Sequence, residues 1–368
     1  MLVKLHNLKF FLFTVALLAL ALPAVAATDY IIDSAVFEDT HASMNFDEVR
    51  QQAFVPSITF LSKGYTRSAF WLRIQIDPSH GTYARAEQGD DRLYVRIQPS
   101  YLDEVRLYDS LQPTRLDRVN GDLHPWDASE IPSVNFIFSI PRGLQPRTLW
   151  IRTKTTSTHM VRVQVLDKAS LAIVEKYQDT GAGIFLGLLI ILVLWPALIW
   201  ASDRDYFSGV FVVKQVVILL HATVIMGYWR MFLSLTLTPE QIDFSSNLII
   251  LLFGFTSAIF HFLYFDLFQM KRWVKVLAVI VLLAYPVCLG FLLSGDTLNA
   301  TRINMVCLTL LSTSFLIVPL FGIPWRSLQA PIITFRTMMA IHVIIFIIAW
   351  SNILPSLGVL TTFEIAPY

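Results

Sequence analysis

Charge is scarce in this chain. Only 15% of its 368 residues are Asp, Glu, Lys or Arg, and 55% are hydrophobic, whereas a soluble domain carries about a quarter charged residues. That shortage excludes an ordinary soluble globule. The net charge is +1 and no basic run interleaved with aromatics is present, which excludes the nucleic-acid binders. Cysteine is nearly missing too: Cys288 and Cys307 are the two there are, both in apolar runs. A disulfide framework and a Cys/His zinc spacing are therefore excluded. No Walker loop, HExxH, dinucleotide fingerprint or nucleophile–His–acid spacing appears. Neither catalysis nor a metal or other cofactor is expected from these residues.

What is present is unevenly spread. The apolar excess is concentrated in the second half. Residues 1–26 read as a signal peptide, with Lys4 and Lys9, an apolar stretch from Phe10 to Leu22, and the small-x-small site Ala24-Val25-Ala26. That stretch is shorter than the roughly 20 residues of a membrane span, which sets the signal above an uncleaved anchor helix. Either way, the next segment is exported.

From 28 to 172 short runs alternate apolar and polar residues, as half-buried strands do. Phe70, Leu72, Ile74 and Ile76 make one run; Leu93, Val95 and Ile97 another; Val105 and Leu107, Phe136 and Phe138, Leu149 and Ile151, and Val161, Val163 and Val165 the rest. Turn-forming pieces separate them: Asp77-Pro78-Ser79, Gly89-Asp90, Asn120-Gly121-Asp122 and Pro141-Arg142-Gly143. The pattern predicts an all-β jelly roll or β-sandwich. On the alternate face an aromatic recurs two positions from an arginine: Trp71 with Arg73, Tyr94 with Arg96, Tyr108 with Arg106, Trp150 with Arg152. If the strands share a sheet, these eight residues form one surface suited to stacking on sugar rings and gripping carboxylates. The other reading is a solvated face with internal cation–π contacts.

Gly64-Tyr65-Thr66-Arg67-Ser68-Ala69-Phe70-Trp71-Leu72-Arg73 resembles a GYSRSAxWLR strand of bacterial sensors. Leu93-Tyr94-Val95, the run Pro99 to Val105, Gly121-Asp122 before Pro125, and Thr148 to Arg152 resemble further stretches of the same domain. The family is the bacterial seven-transmembrane receptors with diverse intracellular signalling modules, with the type 2 extracellular domain, of the RetS/LadS-like sensor kind. The resemblance covers about residues 30–350. It implies a carbohydrate-binding-like jelly roll outside the inner membrane, coupled through a seven-helix bundle to a cytosolic kinase or cyclase in a two-component-type pathway. One departure stands out. An arginine is expected shortly after the Gly-Asp strand, and Asp127-Ala128-Ser129-Glu130 stands there.

After a linker at 173–180, residues 181–354 hold six apolar spans, at about 181–201, 207–227, 245–267, 276–293, 303–322 and 333–351. With the first domain in the periplasm, the cytosolic loops carry Arg204, Lys271, Arg272, Lys275, Arg326 and Arg336, and the periplasmic loops Arg230 and Arg302. This agrees with the positive-inside rule. Residues 355–368 are then a periplasmic tail or the start of a seventh helix. The output module is expected to lie outside this sequence. Polar groups inside the spans are Lys214, His221, His261, Asp266 and His342. They face a bundle interior or snorkel. Lys214 with Asp266 is a candidate pair, although snorkelling of Lys214 to the headgroups is preferred. His261 with His342 lie at similar depth and keep a haem or metal alternative open. The expected function is a receptor for a periplasmic small molecule or glycan. Its expected partners are membrane lipid and a second copy or a related sensor kinase. An adaptor, a haem-binding protein and a transporter are the alternatives.

Overall fold

A computed structural model describes residues 29–79, 91–112, 114, 118–126, 129–326, 328 and 333–359. The expected signal peptide, the Gly89-Asp90 turn and residues 360–368 lie outside the described residues.

Among the described residues ten strands occur in the order β1 Ile31–Asp39, β2 Val55–Pro56, β3 Phe60–Tyr65, β4 Ala69–Ile76, β5 Arg92–Gln98, β6 Glu104–Asp109, β7 Val119–Asn120, β8 Phe136–Pro141, β9 Arg147–Lys154 and β10 Thr158–Leu166. A short helix, α1 Phe46–Val49, bridges β1 and β2. One sheet runs β2-β1-β4-β9-β6-β7 and the other β3-β10-β5-β8. Every pairing is antiparallel. The alternating residues meet between the sheets: Phe70, Leu72, Ile74, Val95, Ile97, Leu107, Phe138, Ile151 and Val163 belong to one buried cluster. The all-β sandwich expected from period two is therefore the fold of residues 31–166. A one-residue slip in any strand would turn that core outward, so the alternation itself pins the register.

Beyond the sandwich, six helices among the described residues are long and apolar enough to cross a membrane. They are α2 Lys168–Asp203, α3 Tyr206–Ile225, α5 Pro239–Asp266, α6 Arg272–Leu293, α7 Thr297–Ile317, which continues as a π-helical turn to Gly322, and α8 Phe335–Ser356. The short α4 Tyr228–Leu233 lies between α3 and α5. Neighbours in sequence pack together, with α3 also against α5. Ile184, Ile191, Leu194, Leu198, Leu283 and Ile347 are exposed on the bundle, as lipid-facing side chains are.

The linker segment 173–180, whose Glu175, Lys176 and Tyr177 suit a helix continuing outward, is part of α2. Asp167 caps the helix by accepting from the Ser170 amide, and α2 then runs 36 residues without interruption. Hydropathy marks only what lipid tolerates, whereas caps mark where a helix begins. The same reason moves α5 back to Pro239, where Thr238 and Gln241 form a capping box, and α7 back to Thr297 behind the Asp296 cap. At 1.5 Å per residue α2 is about 54 Å long, well beyond a hydrocarbon core of about 30 Å.

Candidate functional site at the seat of the sandwich

The ring-and-guanidinium residues do not form one surface. Trp71, Arg73, Arg106, Tyr108, Trp150 and Arg152 share the six-stranded sheet, with Trp71 opposite Arg152, Arg152 opposite Arg106, Arg73 opposite Trp150, and Trp150 opposite Tyr108. Tyr94 and Arg96 belong to β5 in the other sheet. Alternation is legible in a sequence, but strand order is not, and strand order decides which faces merge.

The larger group is also covered. α1 lays Phe46 onto it. The Phe46 ring stacks on Tyr108 at 4.4 Å, meets Trp150 edge-on at 5.3 Å and lies 6.4 Å from Trp71. The capping box of Asn45 and Glu48 holds α1 in place. Trp71 is fully buried. The guanidiniums are engaged internally: Arg73 over Phe54 at 5.0 Å, Arg152 over Trp71 and on Glu104, Arg106 on Glu104 at 2.9 Å. Burial pushes the Glu104 carboxyl up, but its bond to Arg106 and the two nearby guanidiniums outweigh that and leave its pKa low. Internal cation–π contacts are present on this face, which α1 covers instead of leaving it solvated.

Tyr94 and Arg96 serve the junction with the helices. Tyr94 packs on the cluster formed by Ile137, Leu166 and Leu171, the last from α2. Arg96, 3% exposed, donates to Glu175 at 2.7 Å, to Gln98 at 2.7 Å, to Gln164 at 2.9 Å, and to Gln178. Glu175 also accepts from Asn135 at 2.9 Å and from Ser133. Burial lowers the pKa of Arg96, and Glu175 partly opposes that. Sheet and helix are thus joined by a polar knot.

Further contacts seat the sandwich on the bundle. Ser100 donates to Ile225 O at 3.1 Å, Thr158 to Ser356 O at 2.8 Å, Arg302 to Tyr65 O at 2.7 Å, and Ser62 to Pro355 O. At Gly64 the backbone has φ +64°, and an added Cβ would lie 2.9 Å from Leu357 O, so glycine permits this approach. Arg230 of α4, 5% exposed, reaches into the sandwich. It donates to Asn120 Oδ1 at 2.7 Å and lies 5.3 Å from both the Trp126 and Phe136 rings. Burial lowers its pKa to about 10, and Asp122 pulls the other way. These contacts place the ends of α3, α7 and α8 that they touch on the sandwich's side of the bundle.

Between sandwich and bundle lies a cavity of about 270 Å³. Asp122 reaches it from the Gly121 turn, where φ is +149° and a Cβ would sit 2.1 Å from Asp103 O. Burial drives the Asp122 pKa well above the carboxylate range, and Asp103 and Asp243 push in the same direction. Asp243 and Asn247 of α5 and Asn304 of α7 line the bundle side. None of Asp122, Asp243, Asn247, Asn304 or Arg230 stands out as a site residue in the sequence. The available signal is the polarity of Asn247 and Asn304 within apolar spans.

Within the bundle, the candidate Lys214–Asp266 pair is not made. Asp266 pairs with Lys275 at 2.5 Å. Lys214 sits 4.7 Å over the Phe260 ring. The acid near the α5 end meets the cation that begins α6, one short turn away, and Lys214 finds an aromatic face instead. His261 donates to Ser257 O at 2.7 Å and His342 to Met338 O at 2.9 Å, each one helical turn back. Phe315 contacts both rings, at 4.7 and 5.8 Å. Among the described residues no group of three His, Cys, Asp or Glu side chains is placed to hold a metal. His221 stacks on Phe253 at 4.3 Å and lines the cavity. Of the departing tetrapeptide, Asp127 and Ala128 lie outside the described residues, and Glu130 grips the buried Arg118 at 2.7 and 2.8 Å.

Comparison with known proteins matches residues 33–167 to the family described as 7TMR-DISM extracellular 2. No curated protein matches the chain.

Proposed function

From the match of residues 33–167 to the 7TMR-DISM extracellular 2 family we propose that this multi-pass membrane protein is a receptor in a bacterial inner membrane. Its sandwich faces the periplasm and senses a small polar ligand. The bundle passes the sandwich's state to a cytosolic output module and carries out no catalysis itself. Lipid surrounds the helices, and a second copy or a related sensor kinase is the natural partner for output. The observation that carries this reading is the seat: one polar knot on α2 and direct bonds to the ends of α3, α7 and α8. A domain held at that many points cannot shift without shifting helices. The saccharide surface expected from Trp71 and its neighbours is occupied by Phe46, so the ligand is sought elsewhere.

A receptor responds only to a ligand that binds its two states differently. Spin labels at Arg204 and Lys271, in the turns remote from the sandwich, test the coupling. Releasing the seat with Arg230→Ala and Arg302→Ala should shift or broaden the distance distribution between them. An unchanged distribution refutes the coupling. A reporter enzyme inserted at Lys271 should score as cytosolic; a periplasmic score inverts the topology.

A further inference from the structure

We propose that the cavity between sandwich and bundle binds a small organic ammonium ion, with Asp122 of the sandwich and Asp243 of α5 as its counter-charges. This deepens the receptor reading by naming the ligand class, and rests on it only for the consequence to signalling.

The argument begins with unmet hydrogen bonding. One carboxylate oxygen of Asp122 is sealed from solvent and has no hydrogen-bond partner. Asn304, 3% exposed, likewise leaves its carbonyl oxygen unpartnered. Asn247, also 3% exposed, uses its amide nitrogen on Asp243 Oδ1 at 2.8 Å while its own oxygen has no donor. All three residues line the cavity. Buried polar groups without partners are rare in folded proteins and costly. Against these three acceptors stand one unpartnered guanidinium nitrogen, Arg230 Nη1, and the Nδ1 of the cavity-lining His221, which donates or accepts according to its tautomer. The complementary molecule is therefore rich in N–H or O–H donors.

Charge narrows the class. Asp122 and Asp243 act on each other across the boundary between two structural units, and Asp103 adds to the same field. Arg162 and Arg230 also line the cavity. Arg230 acts on Asp122, but its hydrogen bonds go to Asn120 and the His124 carbonyl. Among the described residues no ion pair engages Asp122 or Asp243. An anion would worsen this balance. A neutral polyol would supply donors and leave the carboxyl groups opposed. An ammonium supplies donors and positive charge together, and Trp229 is among the lining residues. The volume of about 270 Å³ is near the small end of ligand pockets, which suits a small amine and not an extended glycan. Because one carboxyl belongs to the sandwich and the other to α5, occupancy draws the two units together.

The test uses the full chain in lipid nanodiscs. Methylammonium, butylammonium, phenethylammonium and putrescine are compared with methanol, butanol, phenylethanol and butanediol by thermal unfolding. At least one ammonium should raise Tm by a few degrees more than its alcohol, as a ligand specific to the folded state does. Asp122→Asn and Asp243→Asn, close in shape to the native residues, should each abolish the rise without lowering the unliganded Tm. The proposal is overturned if no ammonium exceeds its alcohol, which would indicate a site for neutral molecules or for water only. It is equally overturned if the rise survives in the double variant, or if calcium chloride reproduces it. Each of these results leaves the Arg204–Lys271 coupling measurement unaffected, so the two readings fail separately.

Discussion

Arg96→Ala should loosen the base of α2 while leaving the sandwich folded. The side chain is 3% exposed and donates to four acceptors, of which Glu175 and Gln178 belong to α2. Losing a buried hydrogen bond to a charged group costs about 1.5–3 kcal/mol, and breaking a fully buried ion pair costs about 3–5 kcal/mol. Glu175 is itself 20% exposed and keeps Asn135 and Ser133 as donors, so the lower range applies. We take about 2–3 kcal/mol. At a factor of ten per about 1.4 kcal/mol, local opening should increase roughly 30- to 140-fold. Hydrogen exchange of the full chain in nanodiscs reads this directly in residues 168–180. Arg152→Ala, on the opposite sheet and distant from α2, is the control and should leave those amides unchanged. If Arg96→Ala leaves their protection intact, the knot does not join sheet to helix, and the mechanical reading fails with it.

Asp122→Asn should stabilise the seat near neutral pH. The folded-state pKa of Asp122 is raised by burial and by Asp103 and Asp243, so its full contribution to stability exists below the ordinary carboxylate pKa of about 3.9 and is lost as pH rises. The Tm advantage of the variant should thus be present at pH 7–8 and vanish toward pH 4; an advantage independent of pH refutes the assignment. His159 behaves oppositely: burial lowers its pKa to about 3, so its stability is present above about pH 6.5 and declines as acid protonates the unfolded chain. His159→Gln should flatten that acid limb, as measured by denaturant unfolding across pH. Gly121→Ala should cost about 3 kcal/mol or more, because its Cβ would meet Asp103 O at 2.1 Å; a loss below about 1 kcal/mol means that the turn relaxes freely.

Period-two alternation exposes the sandwich because each strand buries one face: the inward residues Phe70 to Ile76 and Val161 to Val165 are the ones the pattern selects. Six spans are legible because lipid demands length and apolarity. Sheet membership is not, since pairing joins strands remote in sequence, such as β4 with β9. That is why Tyr94 and Arg96 part from the other six residues. α1 carries four residues and has no periodicity to detect, so nothing local announces that Phe46 covers Trp71 and Tyr108. The seat is hidden for a related reason. Asn120, Asp122, Arg230 and Asn304 look like unconnected loop and helix positions until the two halves are apposed.

An unbroken α2 carries a geometric consequence of its own. Every residue added to an α-helix rotates the remainder of the rod by about 100°. The azimuth at which the sandwich sits over the bundle is therefore set by the number of residues between Asp167 and the lipid, not only by their reach. One inserted alanine would swing Glu175 and Gln178 out of phase with everything below them, whereas seven would bring them back to within about 20° of the original facing. A deletion within α2 that preserves every side-chain chemistry would still turn the sandwich relative to the bundle.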